Sequence, residues 1–438
     1  MPSPQLLREA RSGPPAVTSA PASPAASDGA PKPKLLFLVT EDWYFCSHRL
    51  PVARAARDAG FEVLVAARAR DHSGQIREEG FALRALGWRR RGDGLRGAAR
   101  AVIAIARLYR QERPDIVHHV ALKPVLFGGL ARALAFRGAA DAPAVIQSLM
   151  GLGSGFSATG PVAKLRRPAL RLALRLAAAS GHGRIVVQNP EDAAALAALG
   201  IDPRRIALIR GSGVDIGHFA PLPPPAADTV TVALVARMLR DKGVLDAVAA
   251  IRRLRARGIK VALELAGPAD PDNPGSLSAA ALKALAAEPG IAWLGPVADV
   301  REVWRRAAIA VLPSTYGEGV PKALLEAAAC ARPIVANDVP GCREAVRSGE
   351  TGMLVPARDV GALAAAIAAL AADPGLRQRM GLAGRSLVER DFAEGIVVRD
   401  TLALYFAVLH EKHRLASFPP PNAGEGPISS PPPGAGEG

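Results

Sequence analysis

Only three of the 438 residues are cysteine (Cys46, Cys330 and Cys342). None stands in a Cys-x-x-Cys pair or at a histidine spacing that would hold zinc. That scarcity excludes a disulfide framework and leads us to expect a reducing, cytoplasmic setting. Long apolar runs are also missing: the stretch from Val360 to Ala372 falls well short of the roughly 20 residues a bilayer requires. The first 30 residues are rich in Pro, Ala and Ser and lack an apolar core behind a basic start, so no signal peptide is expected. No Gly-x-Gly-x-x-Gly follows the first expected strand, which disfavours a dehydrogenase. With aromatics at 4%, no RNA-binding aromatic platform or groove-reading motif is visible either.

What is present describes a folded protein, with 49% apolar and 22% charged residues over a length that fits two domains plus tails. The net charge of +15 favours an anionic partner such as nucleotide phosphates, an acidic membrane surface or nucleic acid. An arginine-rich surface without a partner gives the same number.

Between two tails (1–31 and 415–438) the pattern alternates strand and helix. The second tail repeats PPPNAGEG as PPPGAGEG. Leu35–Thr40 and Phe61–Ala67 read as buried parallel strands on either side of a helix from His48 to Ala59, with Ser47 as N-cap and Gly60 as its stop. Further strands are expected at 115–120, 143–148 and 184–188, completing a first domain over 32–218. FAPLPPPAAD, residues 219–228, reads as an extended linker. A second domain over 229–394 restarts the alternation, with strands at 230–236, 259–266, 291–294, 309–313, 333–336 and 352–355. A last helix at 395–414 is expected to pack back on the first domain. Two βαβ-rich halves predict two Rossmann-like, doubly wound domains, with chemistry in the loops after strand ends.

Two such loops carry suitable residues. In STYGEGVPKALLE (314–326) a Gly-bearing loop leads to Pro321 at a helix start, whose backbone donors suit an anion or a sugar hydroxyl. Glu318 in the loop and Glu326 in the helix, eight apart, are expected to project into one cleft. In ARMLRDKG (236–243), Arg237 offers a planar fork for a diphosphate and Lys242 a mobile charge. Both would stabilise negative charge building on a leaving group.

Together, RMLRDKG, EGVPKALLE, GSGVD (211–215) and PGCREAV (340–346) resemble glycosyltransferase family 4, the retaining enzymes of GT-B fold. LVTEDWYFCSHRLPVARAA and VHHVALKP look like a bacterial subgroup that builds capsule, O-antigen or undecaprenyl-linked oligosaccharides. The resemblance implies two Rossmann-like domains facing a central cleft and no metal cofactor. It places Glu318 at the donor sugar with Gly319 and Val320 beside it, Glu326 on ribose hydroxyls, and Arg237 and Lys242 on the diphosphate. His119, the catalytic candidate beside Glu318, would be the first-domain histidine that hydrogen-bonds the donor sugar or helps the acceptor, although neighbouring His118 has an equal claim from sequence and only one of the two can face the cleft. The expected donor is a UDP-sugar, with N-acetylhexosamine ahead of a GDP-mannose donor. The expected acceptor is a lipid-linked saccharide at the inner membrane surface, with no nucleic-acid partner.

The first loop, Thr40-Glu41-Asp42-Trp43-Tyr44-Phe45, departs from the glycines many family members carry there. Trp43 and Tyr44 suit an acceptor site or simple packing, and His48 with Arg49 suits a phosphate. Asp270-Pro271-Asp272 imitates a metal-binding Asp-x-Asp but reads as a solvated turn. Two basic stretches, Gly87–Arg91 and 162–178, could meet anionic lipid or pack inward. A sugar-nucleotide epimerase, an α-glucan-type transferase and a non-catalytic membrane or nucleic-acid binder are the competing readings.

Overall fold

A computed structural model describes residues 31–88, 94–136, 141–151, 183–315 and 319–416. The tails up to residue 30 and from 417, the arginines at 89–91 and the basic stretch 162–178 lie outside the described residues, as do Tyr316, Gly317 and Glu318.

The first domain is built on a seven-stranded parallel sheet in the order β3-β2-β1-β4-β5-β6-β7. These strands are β1 (Lys34–Glu41), β2 (Glu62–Arg68), β3 (Ala82–Ala85), β4 (Ile116–Val120), β5 (Ala144–Ser148), β6 (Gly183–Val187) and β7 (Ile206–Leu208). The second sheet has six parallel strands in the order β10-β9-β8-β11-β12-β13. They are β8 (Val230–Val235), β9 (Val261–Ala266), β10 (Ile291–Gly295), β11 (Ile309–Leu312), β12 (Ile334–Asn337) and β13 (Gly352–Val355). Strands such as β4 and β11 are buried throughout because helices cover both faces of each sheet, which is why they read as unbroken apolar runs. Strand order reverses between β1 and β4 in one sheet and between β8 and β11 in the other. Those switch points open a crevice at the carboxyl ends of the strands.

The first loop is a correction. Asp42–His48 forms a helix, α1, separated by Arg49 from α2 (Leu50–Asp58). Asp42 anchors it: its Oδ1 accepts from the Trp43 N–H, and its Oδ2 accepts from the backbone N–H groups of Arg70 and His72 and from the Ser73 hydroxyl. Ser47 caps nothing; its hydroxyl pairs with His48 Nδ1. Gly60, at φ 96°, follows the helix end.

The Pro-rich stretch differs from expectation too. It runs along the second domain, where the buried Arg332 guanidinium donates to the carbonyls of Leu222 and Pro223 and to that of Trp304. The chain passes between domains earlier, between Ile209 in the first core and Val214 in the second. It returns between Phe392, in the second core, and Val397, in the first. The two passages are paired: Val214 N–H donates to Phe392 O at 3.0 Å and Glu394 N–H to Val214 O at 2.9 Å. The final helix, Glu394–Ala416, then lies on the first domain, with Tyr405 fully buried there and Lys412 3.1 Å from Asp115. No single described helix is long and apolar enough to cross a membrane. One adjoining pair, Val360–Ala372 and Pro374–Asp391, passes that test only together and is bent by 104°.

Candidate active site

The residues after the switch-point strands meet between the domains. From the second domain, β8 runs into Ala236 and Arg237, then a 3₁₀ turn at Arg240–Lys242. Gly243 follows at φ 72°; a Cβ there would stand 2.0 Å from the Pro313 carbonyl oxygen, so only glycine lets this turn pack on the end of β11. The Asp241 carbonyl in turn accepts from Thr315 N–H at 2.9 Å and from the Ser314 hydroxyl at 3.2 Å. The two loops are thereby held side by side. Helix α3 (Lys322–Ala329) begins just after Pro321.

Three neighbouring cavities open along this seam, and Arg237 and Trp43 border all of them. One, of about 330 Å³, brings Arg237, Lys242, Gly319, Val320 and Lys322 together with Tyr44, His48 and Gln188 of the first domain. A second, of about 700 Å³, lies between Gly267–Asp272 and Pro296–Val300 on one side and Trp43, Arg70 and His72 on the other. A third, of about 250 Å³, is walled by Thr40, Glu41, Val120, Ala121 and Lys123. The Arg237 guanidinium lies 6.0 Å from the Trp43 ring centroid, a cation–π approach that crosses the domains.

Of the residues singled out from sequence, Arg237, Lys242, Gly319 and Val320 therefore share one cavity. Glu326 sits one turn along α3 from the cavity-lining Lys322, whose ammonium is 3.8 Å from its carboxylate. Burial pushes the Glu326 carboxyl up to about 7, with the Lys322 charge opposing. Glu318 lies outside the described residues.

His119 is a correction. It is completely buried in the first domain, Nε2 bonded to the Tyr109 hydroxyl at 2.8 Å and the ring packed on Gly128, so it borders none of the three cavities. Burial, with Arg132 nearby, lowers its pKa to about 3. His118 is equally enclosed between the Tyr405 and Ser148 hydroxyls, each at 2.7 Å. The end of β4 reaches the cleft instead through Ala121, held at φ 78°, and Lys123.

Asp270-Pro271-Asp272 is a turn with Pro271 and Asp272 exposed, as expected, but both aspartates meet arginines. Asp270 accepts from Arg237 Nη1 at 2.5 Å, and Asp272 lies 3.3 Å from Arg70 and 3.6 Å from Arg68 of the first domain. The first aspartate orients Arg237, and the second, still more than half exposed, pairs with arginines across the cleft. Sequence reasoning also passed over Gln188, Met150 and Lys322, which carry contacts across the cleft. Their signal lay only in position, just after a strand or in the first turn of α3. His48 stacks on Tyr44 with centroids 4.2 Å apart; burial first, then Lys322 and Arg49, lower its pKa to about 3, so it enters no cationic pair near neutrality. Arg49 is buried, 3.0 Å from the Met150 sulfur, and borders none of the three cavities.

A glycosyl transferase 4-like family model matches residues 34–180, and a model for glycosyl transferases group 1 matches residues 229–373. Alpha-maltose-1-phosphate synthase of Mycolicibacterium smegmatis is 33% identical over 225 residues, 47% of this chain. The match spans 57% of that relative's length. An N,N'-diacetylbacillosaminyl-diphospho-undecaprenol alpha-1,3-N-acetylgalactosaminyltransferase of Campylobacter jejuni is 26% identical over 374 residues, covering 82% of this chain and 95% of the relative. Among solved structures, HepE of Anabaena in complex with UDP and glucose superposes with a TM-score of 0.67 at 18% identity, over 85% of this chain and 99% of that one. The likeness is one of fold, two Rossmann-like domains facing a cleft in the GT-B manner.

Proposed function

We propose that this chain, a glycosyltransferase of the family-4, GT-B type by both of its domain matches, moves a sugar from a nucleotide diphosphate donor to a lipid-linked saccharide with retention of configuration. The observation that carries the reading is the cavity lined jointly by Arg237, Lys242, Gly319 and Val320, at the switch points of two facing sheets.

In this reading the diphosphate lies against Arg237 and Lys242. Arg237, held by Asp270 and the Trp43 face, needs little reordering to meet it, and both cations stabilise the charge that grows as the sugar–phosphate bond breaks. The cations do the work a metal does elsewhere, and we assign no cofactor. Helix geometry leaves the first-turn N–H groups of Lys322 and Ala323 without intrahelical acceptors, and both residues line the cavity. Glu326 takes the ribose hydroxyls and Glu318 the donor sugar, by family resemblance. The nucleoside fits the 700 Å³ cavity and the acceptor the 250 Å³ one beside Trp43. Retention follows if the departing phosphate, on the same face, takes the acceptor proton. The Campylobacter relative, named for an undecaprenyl-linked acceptor, supports a lipid-linked saccharide and an N-acetylhexosamine donor. The net positive charge supports work at an acidic inner membrane surface.

A panel of UDP-N-acetylhexosamines, UDP-glucose and GDP-mannose with a polyprenyl-diphosphate sugar tests this. Transfer by the wild type, lost in Arg237→Ala and Glu326→Ala, is expected. Product from donor alone would make the protein an epimerase, and full activity in either variant would overturn the site.

A further inference from the structure

Gly319 and Val320, placed at the donor sugar by resemblance, have backbone N–H groups that are already engaged. Gly319 N–H donates to the Met150 carbonyl at 3.2 Å, and Val320 N–H to Gln188 Oε1 at 2.9 Å. Both acceptors belong to the other domain, at the carboxyl ends of β5 and β6. Gln188 is 2% exposed and is followed by Asn189, whose side chain caps the next helix by accepting from Asp192 N–H, so its backbone is fixed. Its amide nitrogen faces the Met150 sulfur at 3.6 Å. Fit is close: a Cβ on Gly319 would lie 2.0 Å from Gln188 Oε1 and 3.1 Å from the Met150 carbonyl carbon. Three residues after Gly319, Lys322 Nζ donates to the Ser47 carbonyl at 2.7 Å, again across the domains.

We propose that Gln188 is a positioning residue for the donor: by accepting from Val320 it closes the first domain onto the 319–323 segment and sets that backbone for the ligand. The inference rests on the reading of that segment as donor-binding. Gln188 reaches the ligand's wall through Val320, and Gly319 is the one residue type that admits it. Only acceptor capacity is used, so a glutamate retains the clamp while alanine removes it.

The test combines X-ray scattering of the ligand-free chain with UDP titration and donor kinetics. Gln188→Ala is expected to enlarge the radius of gyration. It should weaken UDP and raise the donor KM by about 3- to 10-fold, the range of one buried neutral hydrogen bond, with kcat within about 2-fold of wild type. Gln188→Glu should scatter like wild type. Gly319→Ala should harm UDP binding less in the Gln188→Ala background than alone, because its clash partner is gone. Wild-type scattering and affinity in Gln188→Ala, or strict additivity of the two changes, would overturn the proposal. A wild type that ignores UDP and the other nucleoside diphosphates would sink the donor reading, while scattering still decides whether Gln188 closes the domains.

Discussion

Replacing Glu326 by glutamine separates a carboxylate that binds ribose from one that is merely buried. In the ligand-free chain Glu326 ionises at about 7 rather than 4.5, because burial disfavours its charge more than Lys322 favours it. A ribose diol donates two hydrogen bonds, so the bound state prefers the carboxylate and binding tightens as pH rises through 7. About one chain in eleven carries the charge at pH 6 and about ten in eleven at pH 8, so affinity should rise about 10-fold, or about 1.4 kcal/mol. UDP-N-acetylglucosamine is a suitable probe because its diphosphate diester does not titrate there. His48, already neutral above about 3, adds nothing to the slope. Calorimetry in buffers of different ionisation heat should find nearly one proton released on binding at pH 6 and almost none at pH 8. Stability runs the other way. Between 4.5 and 7 the folded chain holds a proton the unfolded chain has lost, so the ligand-free protein becomes less stable as pH rises through that window, by up to about 3 kcal/mol. Glu326→Gln should flatten both profiles. A wild-type affinity independent of pH, or an unchanged slope in the variant, would refute the assignment.

Other perturbations reach other parts of the structure. Arg237→Lys keeps the charge but loses the planar fork, and should weaken UDP-sugar binding about 10- to 100-fold by calorimetry, with Arg237→Ala weaker still. Tyr405→Phe removes the hydroxyl beside His118 Nδ1 and leaves a buried ring nitrogen unpaired; urea unfolding should find a loss of about 1–3 kcal/mol.

Most central strands were legible to within two residues, since a strand buried on both faces reads as an apolar run with nothing periodic to confuse it. The two missed strands, Ala82–Ala85 and Ile206–Leu208, are sheet edges, short and only partly buried. That Arg237 and Lys242 share a cavity was legible because a strand, two cations and a glycine fall within a dozen residues. Asp42 and Asp270 were not, because what gives each its role arrives from about 30 residues away. His119 misled for a similar reason. Its place at a strand end pointed to the cleft, whereas Tyr109 and Gly128 enclose it.

The paired passages at Val214 and Glu394 have a mechanical consequence. Because both covalent links between the halves run through one two-stranded strap, relative motion reduces largely to rotation about an axis through it. Displacement then grows with distance from that axis, so a few degrees of swing at the strap separates the far rim of the cleft by ångströms. A substrate would enter and leave on that far side, as through a door hung on one pin.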